Sequence, residues 1–289
     1  MISSPTHSAY LFPGQGSSVA GTDDLVAEFC GELVEQCRAA VGDDLFARAG
    51  ESTRFAQPAI FLASLAGWRS LDAPEPLAFA GHSLGELSAL AAAGVMDAGD
   101  ALELVILRGA LMAEAADRAR DGGMLAVLKG TVEQAEQLAD AHGVTVANDN
   151  APGQVVLSGR GSRLKEAAVG ARELGVRAIV LDVAGAFHSP DMASACPLFR
   201  RALGRVDLHE PSAPVISGVT AQPFEDVRGQ LAAALTRPVR WRETMQTIFG
   251  LGVRRYVDVG PDAVLAKLVG RNVAGCESIT IDELSHVHV

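Results

Sequence analysis

The segment from Pro76 to Val95, PLAFAGHSLGELSALAAAGV, constrains the fold of this chain more than any other. Residues 77–80 make an apolar run that suits a buried strand and is too short for a helix, while the Ala- and Leu-rich stretch over about 84–93 suits a helix closed by Gly94. Between them lies GHSLG, Gly81 to Gly85, whose two glycines allow a very tight turn. A buried strand handed through a sharp turn to a helix is the unit of a parallel sheet covered by helices, so an α/β fold is expected. With 289 residues, 48% of them hydrophobic, the chain can bury a large core in one sizeable domain or a domain with an insert. No apolar stretch reaches the roughly 18 residues of a membrane span, and Met1 to His7 lacks the features of a secretory signal, so a cytoplasmic setting is expected.

Around this segment the pattern changes twice. SAYLFPGQGSS is a short apolar strand that breaks at Pro13 and Gly14 into a loop. Helical spacing follows over 25–40 and 57–68, with Pro58 in the first turn of the second helix, and again over about 97–120, which contains LVILRGALM. Residues 123–187 use shorter units in the order β-α-β-β-α-β, with a turn at Asn150 to Gly153, the order of a ferredoxin-like split unit. After 190 come a strand at PVISGVT, helices at about 226–235 and 241–250, a strand at RRYVDVG and a helix at 261–270. The expected organisation is a larger domain, 1–122 and 188–289, with a lid-like insert at 123–187 and a cleft between the two.

GHSLG fits G-x-S-x-G between strand and helix, the context in which the turn pushes the serine outward and the helix start aims free N–H groups at an oxyanion. Ser83 is therefore a candidate nucleophile; the plainer alternative is a helix-capping serine. A serine needs a base. Of seven histidines, His7, His286 and His288 lie in the tails, His142 ends a helix, His209 sits in a loop, and His82 would point away from its neighbour's hydroxyl. His188, in the loop AGAFHSP after an apolar strand, remains. No acidic residue stands out as a third member, and a backbone carbonyl can fix the tautomer equally well. Arg108 lies inside an apolar run; its fork suits bidentate capture of a carboxylate, and the alternative is pairing with Glu103 or Glu114. Cys30, Cys37, Cys196 and Cys276 form no metal-ligand spacing. The net charge of −11 opposes nucleic-acid binding, but it is uneven: residues 1–150 carry 8 Lys and Arg against 21 Asp and Glu, whereas 151–289 carry 16 against 14.

FPGQG at 12–16, QPA at 57–59, GHSLGELSAL at 81–90, LRGALM at 107–112, NAPGQVVLSG at 150–159, AFHS at 186–189, PVRW at 238–241 and VGPDAVL at 259–265 together resemble the malonyl-CoA:acyl carrier protein transacylase family, from about Tyr10 to Gly270. The resemblance implies an α/β-hydrolase-like domain with a ferredoxin-like subdomain. It implies Ser83 as nucleophile, His188 as base, Arg108 as the group that holds the malonyl carboxylate, and the N–H groups of Gln15 and Leu84 as the oxyanion hole. Gln57 would line the pocket, and Phe187 matches a form associated with malonyl rather than a branched unit. The sequence departs at Gly185, Gly218 and Ala234, the last about where the family has a glutamine whose carbonyl orients the histidine. The implied reaction moves malonyl from malonyl-CoA to an acyl carrier protein through acyl-Ser83, in fatty-acid or polyketide biosynthesis, with no metal, cofactor, nucleic acid or membrane. An acyl-carrier hydrolase, a carrier-charging subunit of a malonate decarboxylase complex and an inactive scaffold remain open. An acidic carrier would dock on Arg200, Arg201 and Arg205 or on Arg237, Arg240 and Arg242.

Overall fold

Short apolar runs set the centre of the molecule. The computed structural model describes residues 8–72, 76–281 and 283; His7, His286 and His288 lie outside them. Strands β1 (Ser8–Phe12) and β2 (Ala78–Gly81) are buried at every residue and pair in parallel, with Phe12 opposite Gly81. Both strands thus end level, and the loops after Phe12 and Gly81 emerge side by side. Strands β7 (Val215–Ile216), β8 (Arg255–Asp258) and β9 (Glu277–Thr280) complete a five-stranded parallel sheet in the order β7-β2-β1-β8-β9.

Helices cover this sheet. They include α1 (Asp23–Val41), α2 (Thr53–Arg69), α3 (Gly85–Ala92) and α4 (Ala98–Ala119), whose apolar faces share one core with Tyr10, Phe12 and Phe79. Spacing suggested that α2 starts at Gln57; it starts at Thr53, because the Ser52 hydroxyl accepts the Arg54 N–H and caps the helix earlier, leaving Pro58 inside it. Helices α2 and α4 approach closely at Gly109, where a Cβ would lie 2.9 Å from the Thr53 carbonyl oxygen.

Residues 122–181 form the second sheet, antiparallel, in the order β4-β5-β3-β6, from β3 (Gly122–Leu128), β4 (Thr145–Ala151), β5 (Gln154–Arg160) and β6 (Arg177–Leu181). Helices α5 (Val132–His142) and α6 (Gly161–Glu173) share a separate apolar core with it. The β4–β5 turn is tighter than expected: Ala151 pairs Gln154, leaving Pro152 and Gly153 to make the reversal. Val239 joins this sheet to the rest, donating to Ala147 O and accepting from the Asp149 N–H, both at 2.9 Å.

The remaining helices are a 3-10 turn at Pro190–Ala195, α7 (Cys196–Leu203), α8 (Val227–Ala234), α9 (Trp241–Gly250) and α10 (Ala266–Asn272). Helix α10 begins later than its apolar spacing suggests, because the buried Asp258 carboxylate accepts the N–H groups of Leu265 and Ala266. Among the described residues, no helix is long and apolar enough to cross a membrane.

Candidate active site

Ser83 sits on the turn between β2 and α3 with φ +55°, a left-handed conformation that costs a residue with a side chain of the order of 1 kcal/mol. The surroundings force it. A Cβ on Gly81 would lie 1.9 Å from Gly85 C, and a Cβ on Gly85 would lie 1.9 Å from Phe12 O. Backbone is therefore packed directly on backbone, and the serine is the residue pushed out. Leu84 is the first flanking residue of α3; neither its N–H nor that of Gln15 has a protein acceptor among the described residues.

The Ser83 hydroxyl lies 2.8 Å from His188 Nε2, across 105 positions of sequence. His188 Nδ1 faces Ala234 O at 2.8 Å and Arg237 O at 3.2 Å. Carbonyl oxygens only accept, so Nδ1 carries the proton and Nε2 is left to accept from Ser83. His188 is 4% exposed; burial first, and then the Arg108 charge, drives its pKa down to about 3, so the imidazole is neutral near pH 7. Its own φ is +57°. His82 turns away, as its place on the turn suggested, and bonds Asn150 Oδ1 through Nε2 at 2.8 Å.

Arg108, also 4% exposed, donates to Ser83 Oγ at 3.0 Å and to Gln57 Oε1 at 2.7 Å. Neither acidic residue weighed as its partner takes that part: Glu114 pairs with Arg118, and Glu103 accepts from Gln36. Among the described residues no carboxylate lies within 4.0 Å of this guanidinium. Burial lowers its pKa to about 10, opposed by the charge of Glu86. A buried cation with no carboxylate at ion-pair distance is costly to keep. Gln57 is fully buried and donates to Thr53 Oγ1, which donates in turn to Gln15 Oε1, each at 2.8 Å.

Ser83, His188 and Gln15 line a cavity of about 780 Å³ together with Met112, Phe187 and Leu181 among others; the buried Arg108 and Gln57 are not among its lining residues, and Arg108 meets it through its bond to Ser83 Oγ. Its walls come from both sheets' surroundings. Phe187 is 6% exposed and its ring lies against Gly185, where a Cβ would sit 2.9 Å from Phe187 Cε1; a larger residue there would displace the ring. Gly218 donates its N–H to Glu86 Oε1 at 2.8 Å, and a Cβ there would make only ordinary contacts.

Two residues of this arrangement escaped the sequence reading. Thr53 opens a helix and looks like a cap; Glu86, in the first turn of α3, looks like a dipole partner. Glu86 is instead 2% exposed, and burial raises its pKa to about 7, opposed by the Gly218 N–H and Arg108. Nothing local marks either position. Among the described residues no cluster of His, Cys, Asp or Glu could hold a metal ion. Of the basic surface residues, Arg240 pairs with Glu243 and Arg242 with Asp149, while Arg200, Arg201, Arg205 and Arg237 are exposed and make no ion pair among the described residues.

Comparison with known proteins bears on this arrangement. A family model described as acyl transferase domain matches residues 9–283. The malonyl CoA-acyl carrier protein transacylase of Synechocystis sp. is 36% identical over 301 residues, covering 97% of this chain and 98% of that one. The polyketide biosynthesis protein ThaF of Burkholderia thailandensis is 38% identical over 277 residues, 90% of this chain, which spans only 24% of that protein's length. The crystal structure of FabD from Acinetobacter baumannii superposes with a TM-score of 0.89 at 34% identity, with 99% of each chain covered. Matched over nearly its whole length, and with a full-length relative above 30% identity, this chain belongs to the acyl transferase family that includes the malonyl CoA-acyl carrier protein transacylases.

Proposed function

We propose that this protein transfers a malonyl group from malonyl-CoA to the phosphopantetheine thiol of an acyl carrier protein through an acyl-Ser83 intermediate. One observation carries the reading: the Ser83 hydroxyl is held between a neutral histidine at 2.8 Å and a buried guanidinium at 3.0 Å that has no protein carboxylate. A nucleophile, its base and an anion receptor converge on one oxygen. The names of full-length relatives supply the same donor and acceptor.

In the first half-reaction His188 Nε2 takes the Ser83 proton as Oγ attacks the thioester carbonyl. The N–H groups of Gln15 and Leu84 stabilise the tetrahedral oxyanion, the second of them with the positive end of α3 behind it. The intermediate collapses, the C–S bond breaks, and the departing coenzyme A sulfur takes the proton from His188. In the second half the carrier's thiol gives its proton to His188 and attacks the ester; the C–O bond breaks and Ser83 recovers the proton. Ala234 O holds the Nδ1–H throughout, and Arg108 binds the distal carboxylate while Gln57 orients the guanidinium. Phe187 bounds the acyl pocket.

The reading requires no metal or cofactor of the chain's own, and assigns it to the cytoplasm with its substrates. It takes 1–122 and 188–289 as an α/β-hydrolase-like domain and 123–187 as a ferredoxin-like subdomain, supported by the parallel sheet in the first and by the strand order β4-β5-β3-β6 in the second. Arg200, Arg201 and Arg205 are its docking surface for an acidic carrier; in the second cluster Arg240 and Arg242 are already engaged, which leaves Arg237 alone.

Intact-protein mass spectrometry after mixing with malonyl-CoA tests the reading. Wild type gains one malonyl group and transfers it to holo carrier protein, and Ser83→Ala gains none. Equal labelling of both, or release to water in place of transfer, sinks it.

A further inference from the structure

We infer that Thr53 is a positioning residue which ties the Gln15 loop to the Arg108 guanidinium, so that the group receiving the acyl carboxylate also sets the place of an oxyanion donor. The inference rests on the acyl-transfer reading above and adds a residue to it.

The reasoning starts at Arg108, whose side chain can only donate hydrogen bonds. Its Nη1–H to Gln57 at 2.7 Å requires the Gln57 amide to present oxygen to the guanidinium and its NH₂ to Thr53. Thr53 Oγ1 then accepts from Gln57, so its one proton goes to Gln15, at 2.8 Å, and the Gln15 amide must present oxygen in turn. The other arm is ordered from its far end, where the Ala234 carbonyl fixes the His188 tautomer. Arg108 donates to Ser83 Oγ, the Ser83 proton points to His188 Nε2, and His188 donates through Nδ1 to Ala234 O. One cation thereby stands between the Gln15 arm and the Ser83–His188 pair, donating to both.

Thr53 is not needed as a helix cap. Ser52 caps α2, and the Thr53 side chain turns inward, 6% exposed. Gln15, by contrast, is an exposed loop residue followed by Gly16 at φ +104°, and Thr53 is the group that holds its side chain. Deleting that hydroxyl frees the Gln15 loop while the backbone N–H itself remains in the chain.

Removal of an oxyanion donor outright costs about 10²- to 10³-fold in rate, and loosening one should cost about tenfold. The test measures the single-turnover acylation rate of Ser83 at saturating malonyl-CoA and acetyl-CoA, together with the apparent affinity for each donor and the melting temperature. Thr53→Val is expected to slow acylation by both donors about tenfold while affinities stay within about threefold, and Thr53→Ser to recover most of the rate. In a Gln15→Ala background, which keeps the N–H and removes the acceptor oxygen, Thr53→Val should add less than about threefold. Wild-type acylation by Thr53→Val overturns the inference. So does a Thr53→Ser as slow as Thr53→Val, or full additivity with Gln15→Ala. If wild type forms no acyl-enzyme, the acyl-transfer reading itself fails; if it does and these variants behave otherwise, only the role of Thr53 falls.

Discussion

Arg108→Met separates a substrate clamp from a structural cation. The substitution removes the guanidinium and keeps most of the side-chain volume. A malonyl carboxylate bound at Arg108 loses its buried charged partner, which costs about 2–5 kcal/mol. At about 1.4 kcal/mol per decade this lowers kcat/KM for malonyl-CoA by roughly 30- to 4,000-fold. Acetyl-CoA carries no carboxylate, so its loss is limited to the 3.0 Å bond to Ser83 Oγ, worth about 0.5–1.5 kcal/mol, or up to roughly tenfold. The free protein should hardly notice. Removing the buried charge relieves its desolvation penalty, while Gln57 Oε1, which loses its 2.7 Å donor, costs about 1–3 kcal/mol. The two offset, and the melting temperature should move by less than about 5 °C. Single-turnover acylation with both donors, read by intact mass, and a thermal scan measure all three quantities. Equal losses for malonyl and acetyl, or a fall of more than about 10 °C, would refute the assignment and make Arg108 a structural residue.

Burial and Arg108 hold His188 neutral down to about pH 3, so Ser83 acylation should stay on its plateau from pH 8 to about 5; half-maximal activity near 6.5, the ordinary value for histidine, would contradict this environment. The same depression bears on stability: between about pH 6.5 and 3 the unfolded chain binds a proton at this residue that the folded chain refuses, so His188 weakens the fold as pH falls, and His188→Gln should gain melting temperature over wild type at pH 4.5 but not at pH 8. Gly85→Ala places a Cβ 1.9 Å from Phe12 O, so a melting temperature lowered by several degrees and loss of acyl-enzyme are expected; wild-type behaviour would mean that β1 and α3 can separate without harm. Reversing Arg200, Arg201 and Arg205 to Glu should raise the carrier-protein KM about tenfold at low salt, converge with wild type near 1 M salt, and leave acylation by malonyl-CoA unchanged; an unaltered carrier KM removes this docking surface.

Much of this arrangement was legible in the chain because it is local. GHSLG carries its own turn: strand, two glycines and helix lie within adjacent residues, so the exposure of Ser83 follows from sterics that neighbours impose on each other. The β-α-β-β-α-β order of 122–181 was equally readable, since its units alternate in period and are closed by Gly143 and the Pro152–Gly153 turn. The start of α2 was misjudged because Pro58 resembles a first-turn residue while Ser52, five positions before the apolar spacing begins, is the actual cap. Helix α7 and strand β9 were missed; the first is only eight residues long with Pro197 at its start, and the second is a four-residue, partly exposed edge strand, so each is too short to stand out.

Only the folded chain settles which polar groups meet. Burial is a property of surroundings: Glu86 and Arg108 have the composition of surface residues, yet both are enclosed, and the loss of water shifts their proton affinities in opposite directions. Thr53 reads as a cap, and only the fold brings the Gln15 side chain, 38 positions away, to its hydroxyl. Ser83 and His188 lie 105 positions apart, and no period or spacing along the chain encodes the 2.8 Å between them; it arises where the turn after β2 meets the loop of His188, whose ring Ala234 O holds from α8. The residue types needed for the chemistry were written in the local chain, and the convergence of a base and a cation on one hydroxyl arises only when long-range packing brings them together.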